Sequence, residues 1–398
     1  MKPALRRESA MQLEYTDAQR AFRAEVRDWM AAHVPRTPLA SFDTEAGFAQ
    51  HRAWEATLNQ GRWSMVTWPA ELGGRGCDLI EWLIFEEEYW RAGAPMRVNQ
   101  NGIFLLGPTL MEFGTEAQKA RFLPRMASGE HVWAQGWSEP NAGSDMAAIR
   151  CSAIRQGDDY VINGQKIWST RAVWADWLFG LFRTDPASTR HHGLTFILMP
   201  LDTPGITVRP IRQLNGQTGF AEIFFDDVRV PVENRLAAEG AGWQVAMATA
   251  GFERGLMLRS PARFQETARA LVRLYQANRE AADRDPSLRE AVLRAWMDAE
   301  AYTLSTYATA SRLVRGGHIG AESSTNKVFW SELDIHMHDT ALAILGQAAE
   351  VAPDGQPPGS LGHWLDGFLF AQAGPIYAGT NEIQRNIVAE RLLGMPRA

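Results

Sequence analysis

The sequence YAGTNEIQR, at residues 377–385, is the most informative motif of this chain. Thr380 is typical of a helix N-cap, because its hydroxyl can accept a hydrogen bond from a free backbone N–H of the first turn. Ile383, Ile387 and Leu392 recur at near-helical spacing and give the segment one apolar face. The stretch therefore predicts a capped helix that begins after Thr380.

Glycine and proline mark both ends of this helix. Gly394 and Pro396 predict where it stops. Gly379, just ahead of the cap, allows a sharp turn or the close approach of a ligand. Because a glycine turn that leads into a helix N-terminus can bind an anionic or carbonyl oxygen, the segment is a candidate ligand site. The pattern alone is equally compatible with a plain surface helix.

The same stretch resembles the closing motif of the acyl-CoA dehydrogenase family, Tyr-X-Gly-Thr-X-X-Ile-Gln-Arg. The resemblance implies that Tyr377, Ala378 and Gly379 contact the acyl-CoA substrate and that Thr380 and Glu382 contact FAD. Many family members carry their catalytic base, a glutamate, at the position of Ala378. The resemblance therefore implies that this chain takes its base from another segment.

Composition places the chain among ordinary soluble proteins. It has 398 residues, of which 45% are hydrophobic and 22% charged, enough for two or three domains with substantial cores. The net charge is −6, without a long basic run, which argues against nucleic acid as the main partner. No residue spacing is typical of a metal site.

Cysteine content and hydropathy predict a cytoplasmic location. The two cysteines, Cys77 and Cys151, form no disulfide framework, so a reducing compartment is expected. No apolar run approaches the roughly 18 residues that a membrane helix needs. Arg6 and Arg7 are not followed by the apolar segment of a secretory signal.

Residues 1–130 are predicted to form an all-α domain. Thr16 and Gln19 form a capping box at its start. Helical periodicity is present at residues 16–34, 53–60, 79–91 and 117–127.

Residues 131–238 are predicted to form a β domain, an antiparallel sandwich or barrel. Asn163-Gly164 predicts a tight hairpin between two of its strands. The predicted strands cover residues 132–137, 149–154, 160–162, 165–168, 177–183, 194–200, 206–211 and 221–228.

Residues 239–398 are predicted to be helical again. Ser287 and Glu290 indicate a capping box, with a helix that runs to Gly316. A further helix is predicted at 322–345, and a loop at 352–362. The order α, β, α resembles the acyl-CoA dehydrogenase architecture, which implies that the last domain is a four-helix bundle.

A second motif, WSEPNAGSD, occupies residues 137–145. Such a turn exposes backbone N–H groups and hydroxyls to carbonyl or phosphate oxygens, although a plain polar turn would have the same composition. It resembles the Thr-Glu-Pro-X-Ala-Gly-Ser-Asp segment of the family. The resemblance implies that Gln135, Trp137 and Ser138 line the flavin and that Ser144 contacts the FAD pyrophosphate and the substrate.

A third motif, NGQKIWST, occupies residues 163–170. An aromatic plane such as Trp168 suits stacking against a flavin ring, whereas a hairpin with one buried tryptophan is the simpler alternative. The motif resembles the family's Asn-Gly-X-Lys-X-Trp-Ile-Thr, which implies that Trp168 covers the flavin and Thr170 contacts it. Weaker matches at 68–76, 107–119 and 224–231 extend the resemblance over nearly the whole chain.

The predicted base is Glu253. Segment 251–255 resembles the isovaleryl and long-chain branches of the family, which implies that Glu253 is the base and Arg254 a neighbouring substrate-binding residue. Surrounding apolar residues are expected to raise the pKa of Glu253 toward the range of a working base. The alternative is a Glu253–Arg254 pair on a solvated face.

The resemblance implies FAD-dependent α,β-dehydrogenation of an acyl-CoA thioester in lipid metabolism, with electrons passed to an electron-transfer flavoprotein. A homotetramer or homodimer is expected. The alternatives are a flavin oxidase or monooxygenase on the same fold, and a non-catalytic subunit of an α2β2 assembly. Two departures from the family, the absent Arg-X-X-Phe and Gln-X-X-Gly-Gly-X-Gly runs, imply that the adenine end of FAD is bound differently than in the best-known members, or more weakly.

Overall fold

The computed structural model describes residues 14–253, 260–350 and 364–396, with the side chains of residues 252 and 253 outside the description. Helices form both ends of the chain and a sheet forms the middle. The α-helices are α1 (Asp17–His33), α2 (Glu45–Gln60), α3 (Leu79–Arg91), α4 (Gly107–Phe113), α5 (Glu116–Ala127), α6 (Gly242–Glu253), α7 (Pro261–Ala277), α8 (Arg279–Ala282), α9 (Pro286–Val314), α10 (Ser323–Leu345), α11 (Trp364–Ala371) and α12 (Asn381–Ile387).

The N-terminal helices follow the predicted pattern in part: α2 begins at Glu45, earlier than predicted, and α4 was not predicted. The capping box of Thr16 and Gln19 is confirmed at the start of α1. An apolar core forms between α1, α2 and α3 and includes Met30, Trp54 and Phe85. Tyr307 of α9 belongs to the same core, so the first and last parts of the chain share buried apolar surface.

The middle of the chain forms one eight-stranded sheet. Its strands are β1 (Trp133–Gly136), β2 (Ser152–Gln156), β3 (Asp159–Thr170), β4 (Trp177–Arg183), β5 (Leu194–Pro200), β6 (Ile206–Ile211), β7 (Phe220–Pro231) and β8 (Arg235–Leu236). The spatial order is β6-β7-β3-β2-β4-β5-β8, with β1 beside β4. Most pairs are antiparallel as predicted, but β1–β4 and β2–β4 are parallel.

The predicted hairpin at Asn163-Gly164 was wrong. These residues lie inside the continuous strand β3, where the register against β7 shifts between Ile162 and Gly164. The Asn163 side chain donates to Asp227 Oδ1 at 2.9 Å and accepts from the Asp227 backbone N–H at 2.9 Å. This pairing with β7 stabilises a β-bulge in place of a turn. The hairpin that does form joins β2 to β3 at Gly157, whose φ is +65°.

The C-terminal helices pack as a bundle. Its apolar core combines residues of α7, α9 and α10, including Phe264, Tyr302 and Trp330. The predicted capping box at Ser287 was wrong by two residues, because the Asp285 carboxylate accepts the Ser287 backbone N–H at 2.9 Å and caps α9. The loop predicted at 352–362 lies outside the described residues.

Helix α6 connects the three regions. It packs on β4 and β5 and on α4. Its Val245 lies in the apolar core that α4, α5 and the sheet share. Within the described ranges, no helix is both long and apolar enough to cross a bilayer.

Candidate active site

Trp168 lies at a second bulge of β3. The register against β7 shifts between Lys166 and Ser169, and Trp168 takes a left-handed φ of +59°. A bulge turns a side chain away from the strand's regular alternation. The Trp168 ring is 57% exposed and touches Phe220 edge-on, at 6.1 Å between centroids. A large aromatic plane is therefore held at the surface instead of in the core.

The end of β1 and the following residues lie beside this bulge. The Ser138 carbonyl accepts the Ile167 backbone N–H at 2.9 Å, which joins the second motif to the third. Gln135, on β1, pairs with Phe179 of β4 and is partly buried. The structure thus brings Ser138 next to the bulge that carries Trp168, at one edge of the β domain, and Gln135 lies three residues before Ser138.

A buried ion pair, which the sequence did not reveal, holds these two motifs together. Lys166 is fully buried, and its ammonium donates to Glu139 Oε1 at 2.9 Å, to the Leu181 carbonyl at 2.7 Å and to the Trp137 carbonyl at 3.3 Å. Since a buried charge is costly unless it is paired and hydrogen-bonded, this arrangement fixes both partners.

The Glu139 carboxylate also connects the motif to the residues just before β2. It accepts the backbone N–H groups of Arg150 at 2.7 Å and Cys151 at 2.9 Å. Backbone bonds between Glu139 and Ala142 close the turn in both directions, at 2.9 and 3.0 Å. Ser144 follows this turn and is exposed.

The polar groups at this edge suit a ligand of mixed character. Trp137 Nε1 and Ser169 Oγ are buried and have no hydrogen-bond partner among the described residues. Thr170 supplies a partly buried hydroxyl next to Ser169. Unsatisfied buried donors beside an exposed aromatic plane fit a planar heteroaromatic ring with hydrogen-bonding edges, such as a flavin.

The C-terminal turn is the second part of the candidate site. Ala378 and Gly379 both adopt left-handed backbone conformations, with φ of +56° and +77°. Thr380 caps α12 as predicted, because its hydroxyl accepts the Ile383 backbone N–H at 3.2 Å. The turn is therefore strained at a residue with a side chain, Ala378, and leads directly into a helix N-terminus.

Neutral side chains fix the turn, and the sequence did not reveal them either. Gln384 Nε2 donates to the Ala378 carbonyl at 3.0 Å and, at a longer 3.4 Å, to the Gly379 carbonyl. Asn381 is buried, and its Oδ1 accepts from Lys327 Nζ at 2.8 Å and from Ser331 Oγ at 3.2 Å. Helix α10 thus anchors the start of α12.

The residues on either side of the turn differ in burial. The Tyr377 ring stacks on Trp330 at 6.1 Å and lies near Phe370 at 6.3 Å. Glu382 is exposed, and its own backbone N–H and the Thr380 hydroxyl lower the pKa of its carboxyl. Tyr377 is thus part of the bundle packing, whereas Glu382 faces solvent in the single chain.

A hydrogen bond links the β domain to the bundle. Asn215, in the loop between β6 and β7, donates to Asp366 Oδ1 of α11 at 2.6 Å. Asp366 is buried, so this bond fixes the loop against the helix that precedes the C-terminal turn.

The segment of the predicted base lies at the end of α6. Thr249, one turn before Glu253, is fully buried and shares a 2.9 Å hydrogen bond with Thr109 of α4. The backbone of Glu253 closes α6. The Glu253 side chain and Arg254 lie outside the described residues.

Comparison with known families covers nearly the whole chain. Models of the acyl-CoA dehydrogenase N-terminal, middle and C-terminal domains match residues 16–130, 134–228 and 240–393. The acyl-CoA dehydrogenase IpdE1 of Mycobacterium tuberculosis is 41% identical over 384 residues, which span 94% of this chain and 97% of the relative. FadE26 of the same organism is 33% identical, with 98% and 100% covered.

Solved structures agree with these relatives. The structure described as "Tcur3481-Tcur3483 steroid ACAD" has a TM-score of 0.85 at 29% identity and covers 98% of this chain and 100% of its own. The ChsE4-ChsE5 complex from Mycobacterium tuberculosis has a TM-score of 0.80 at 31% identity, with the same coverage of 98% and 100%. The predicted family and three-domain fold are confirmed, and this chain belongs to the flavin-dependent acyl-CoA dehydrogenase family.

Proposed function

We propose that this enzyme carries out FAD-dependent α,β-dehydrogenation of an acyl-CoA thioester to the 2-enoyl-CoA, with an electron-transfer flavoprotein as electron acceptor, in the cytoplasm. The observation that carries the proposal is the edge of the β domain, where the bulged, exposed Trp168 is bonded through Ile167 to Ser138. An exposed aromatic plane beside buried, unsatisfied donors suits the binding of a flavin ring. Binding of a thioester alone would not need this arrangement.

The residues proposed to hold FAD come from both parts of the site. When bound, FAD supplies the acceptor for the hydride that leaves Cβ of the acyl chain. Trp168 would cover the ring, and the hydroxyl and amide groups nearby would bond its edges. Together the proposed cofactor contacts are Gln135, Trp137, Ser138, Ser144, Trp168, Thr170, Thr380 and Glu382.

The remaining residues act on the thioester. Glu253 would take the Cα proton, with Arg254 beside it. As that proton leaves, negative charge develops on the thioester oxygen, and preorganised donors in a dry site stabilise it. The backbone N–H of Ala378 is the proposed donor, which is compatible with the absence of a carboxylate at this position. Tyr377, Gly379 and Ser144 complete the proposed substrate contacts.

The acyl group is proposed to be bulky and to contain rings. The support is similarity at 29% identity to a protein described as a steroid ACAD. A panel of straight-chain, branched and steroid side-chain acyl-CoA thioesters, assayed with a dye acceptor, tests the proposal. The highest kcat/KM is expected for the ring-containing thioester, and a preference for straight chains would contradict this choice.

The chain is proposed to work as an assembly, a homotetramer or homodimer. Helix α9 exposes Leu293, Met297 and Leu304 at 56%, 67% and 50% along one side, an apolar stripe of the kind that a subunit interface covers. An α2β2 assembly is the second candidate, because both similar structures named above are described with two different chains. Light scattering of the purified chain, alone and co-expressed with a homologue, distinguishes the three.

The cofactor and the acceptor are tested separately. Protein expressed with added FAD should release FAD when denatured, and protein without flavin, expressed alone and with a homologue, would contradict the cofactor proposal. The reduced enzyme should be reoxidised by electron-transfer flavoprotein faster than by oxygen. Rapid reoxidation by oxygen would instead favour the oxidase or monooxygenase alternative.

A further inference from the structure

We infer that Gln384 is a positioning residue of the active site: its side-chain amide holds the Ala378–Gly379 turn in the left-handed conformation that presents the Ala378 backbone N–H to the thioester oxygen. The inference rests on the proposed function for the role of that N–H. The statement that Gln384 holds the turn rests only on the geometry of α12.

The burial of Gln384 is unusual for an amide side chain. Its exposed fraction is 2%, although it lies on a seven-residue helix near the surface. Glutamine is mostly found exposed, because burying an amide is costly unless it is hydrogen-bonded. The bonds that repay this burial go to the carbonyls of Ala378 and Gly379. Gln384 is therefore directed at the turn.

The left-handed turn needs a stabilising contact from outside its own residues. A residue with a Cβ rarely adopts positive φ, yet Ala378 does so at +56°. Two consecutive left-handed residues also leave their carbonyls without a helical partner. One amide that donates to both carbonyls satisfies them and selects this conformation over the relaxed one.

Packing around the amide is tight. A Cβ built on Gly379 would come within 2.6 Å of Gln384 Nε2, so the amide lies directly against the backbone of the turn. Gln384 is itself fixed, because α12 starts at Asn381, which is bonded to Lys327 and Ser331 of α10. The helical bundle thus stabilises the turn through α12. The residues of the turn do not fix its conformation by themselves.

The chemistry of the amide suits a site where negative charge develops. Gln384 Nε2 supplies neutral donors to the turn carbonyls, while its Oε1 has no hydrogen-bond partner among the described residues. Because the Gln384 amide is uncharged, the backbone N–H of Ala378 remains the group that stabilises negative charge on the thioester oxygen. The contact between the Gln384 amide and the turn is also insensitive to pH, unlike a contact made by a histidine or carboxylate in the same place.

The test uses Gln384→Met, which keeps the length of the side chain and removes both donors. The matched control is Gln118→Met. Gln118 is also buried, and its Nε2 bonds two backbone carbonyls, of Glu233 at 2.9 Å and Arg235 at 2.8 Å, away from the site. Gln118→Met also loses the bond that Gln118 Oε1 accepts from the Thr115 backbone N–H at 3.0 Å. The control therefore loses at least as many bonds as Gln384→Met and reports the effect of a general loss of stability.

Amide hydrogen exchange on the purified full-length protein is the readout that does not depend on activity. The Asn381 N–H, which bonds the Pro375 carbonyl at 2.8 Å, closes the turn and reports its opening. Exchange at Asn381 is expected to be about tenfold faster in Gln384→Met, the equivalent of one to two lost hydrogen bonds, and unchanged in Gln118→Met. Equal exchange in the parent and Gln384→Met would overturn the inference.

Kinetics then test the positioning role. Gln384→Met should lower kcat by about tenfold with KM changed by less than about threefold, because the lost contact matters chiefly as charge develops. In an Ala378→Gly background the same change should cost less, since glycine adopts positive φ without strain. Full additivity of the two changes would also overturn the inference. A parent with no activity on any thioester contradicts the proposed function, while the exchange result still decides whether Gln384 holds the turn.

Discussion

The two parts of the candidate site are fixed by different kinds of interaction. At the edge of the β domain, a fully buried lysine and a buried glutamate, Lys166 and Glu139, connect β3, β4 and the turn after β1. At the C-terminal turn, the neutral amide of Gln384 holds the backbone, and Asn381 anchors α12 to Lys327 and Ser331 of α10. The first part is a network of buried polar contacts inside the β domain. The second is a short, partly exposed turn that α10 and α12 hold in place.

This difference predicts how each part fails. Removing one partner of a buried ion pair leaves an uncompensated charge, which typically costs about 3–5 kcal/mol. Removing one neutral hydrogen bond costs about 1 kcal/mol and affects local geometry more than global stability. The β-domain part should therefore lose its fold when altered, and the turn should lose its function first.

The largest expected effect belongs to neither part, but to the end of α6. Glu253→Gln should keep FAD and ligand binding but lower the rate of anaerobic flavin bleaching by acyl-CoA about 10²–10⁴-fold, because the proton acceptor is lost. Glu280→Gln, on the exposed surface of α8, is the control. A bleaching rate within about threefold of the parent would show that Glu253 is not the base.

Breaking the ion pair should have the next largest effect. Lys166→Met is expected to destabilise the protein by about 3–5 kcal/mol, measured by urea unfolding, because the Glu139 carboxylate remains buried without its cation. The double variant Glu139→Gln/Lys166→Met removes both charges and should recover part of that loss. A double variant less stable than Lys166→Met alone would contradict a role for the uncompensated charge.

Glu86 on α3 extends the comparison to a buried carboxylate that forms no ion pair within the described part of the chain. Burial raises its pKa from 4.5 to about 7, and hydrogen bonds from Ser260 and Trp90 and the charge of Arg97 offset this only in part. The folded state thus favours protonated Glu86. Its contribution to stability is full below pH 4.5 and is lost as the pH rises through about 7.

Glu86→Gln should remove this dependence. At pH 8 the variant should be more stable than the parent by about 3 kcal/mol, the equivalent of the raised pKa, and the difference should vanish near pH 4. Thermal melts of both proteins between pH 4 and pH 8 measure it. A constant difference over this range would contradict the titration of Glu86.

The smallest expected effect is the loss of the helix cap at the turn. Thr380→Ala should cost about 1 kcal/mol locally, which is about fivefold faster amide exchange at Ile383. Thr115→Ala removes the equivalent cap of α5, at 3.2 Å to Gln118, and is the control. If Thr380→Ala also lowers FAD content while Thr115→Ala does not, the turn and the cofactor are directly coupled.

Local sequence patterns determined much of the molecule. The caps at Thr16 and Thr380, the strands at 177–183, 194–200 and 206–211 and the order of helices and strands follow from periodicity and short-range hydrogen bonding. The family motifs added the expected site. These features depend on residues close together in the chain, so the sequence is sufficient to predict them.

Tertiary structure decided what depends on distant partners. Asn163-Gly164 has the composition of a hairpin turn, but pairing with Asp227, 64 residues away, makes it a bulge in one long strand. Lys166 meets Glu139 across 27 residues. Gln384 is close in sequence to Ala378, yet only the left-handed backbone of the turn brings its amide to two carbonyls. Composition specifies which bonds a residue can make, and the fold selects the partner, because burial leaves each polar group only the neighbours that the fold provides.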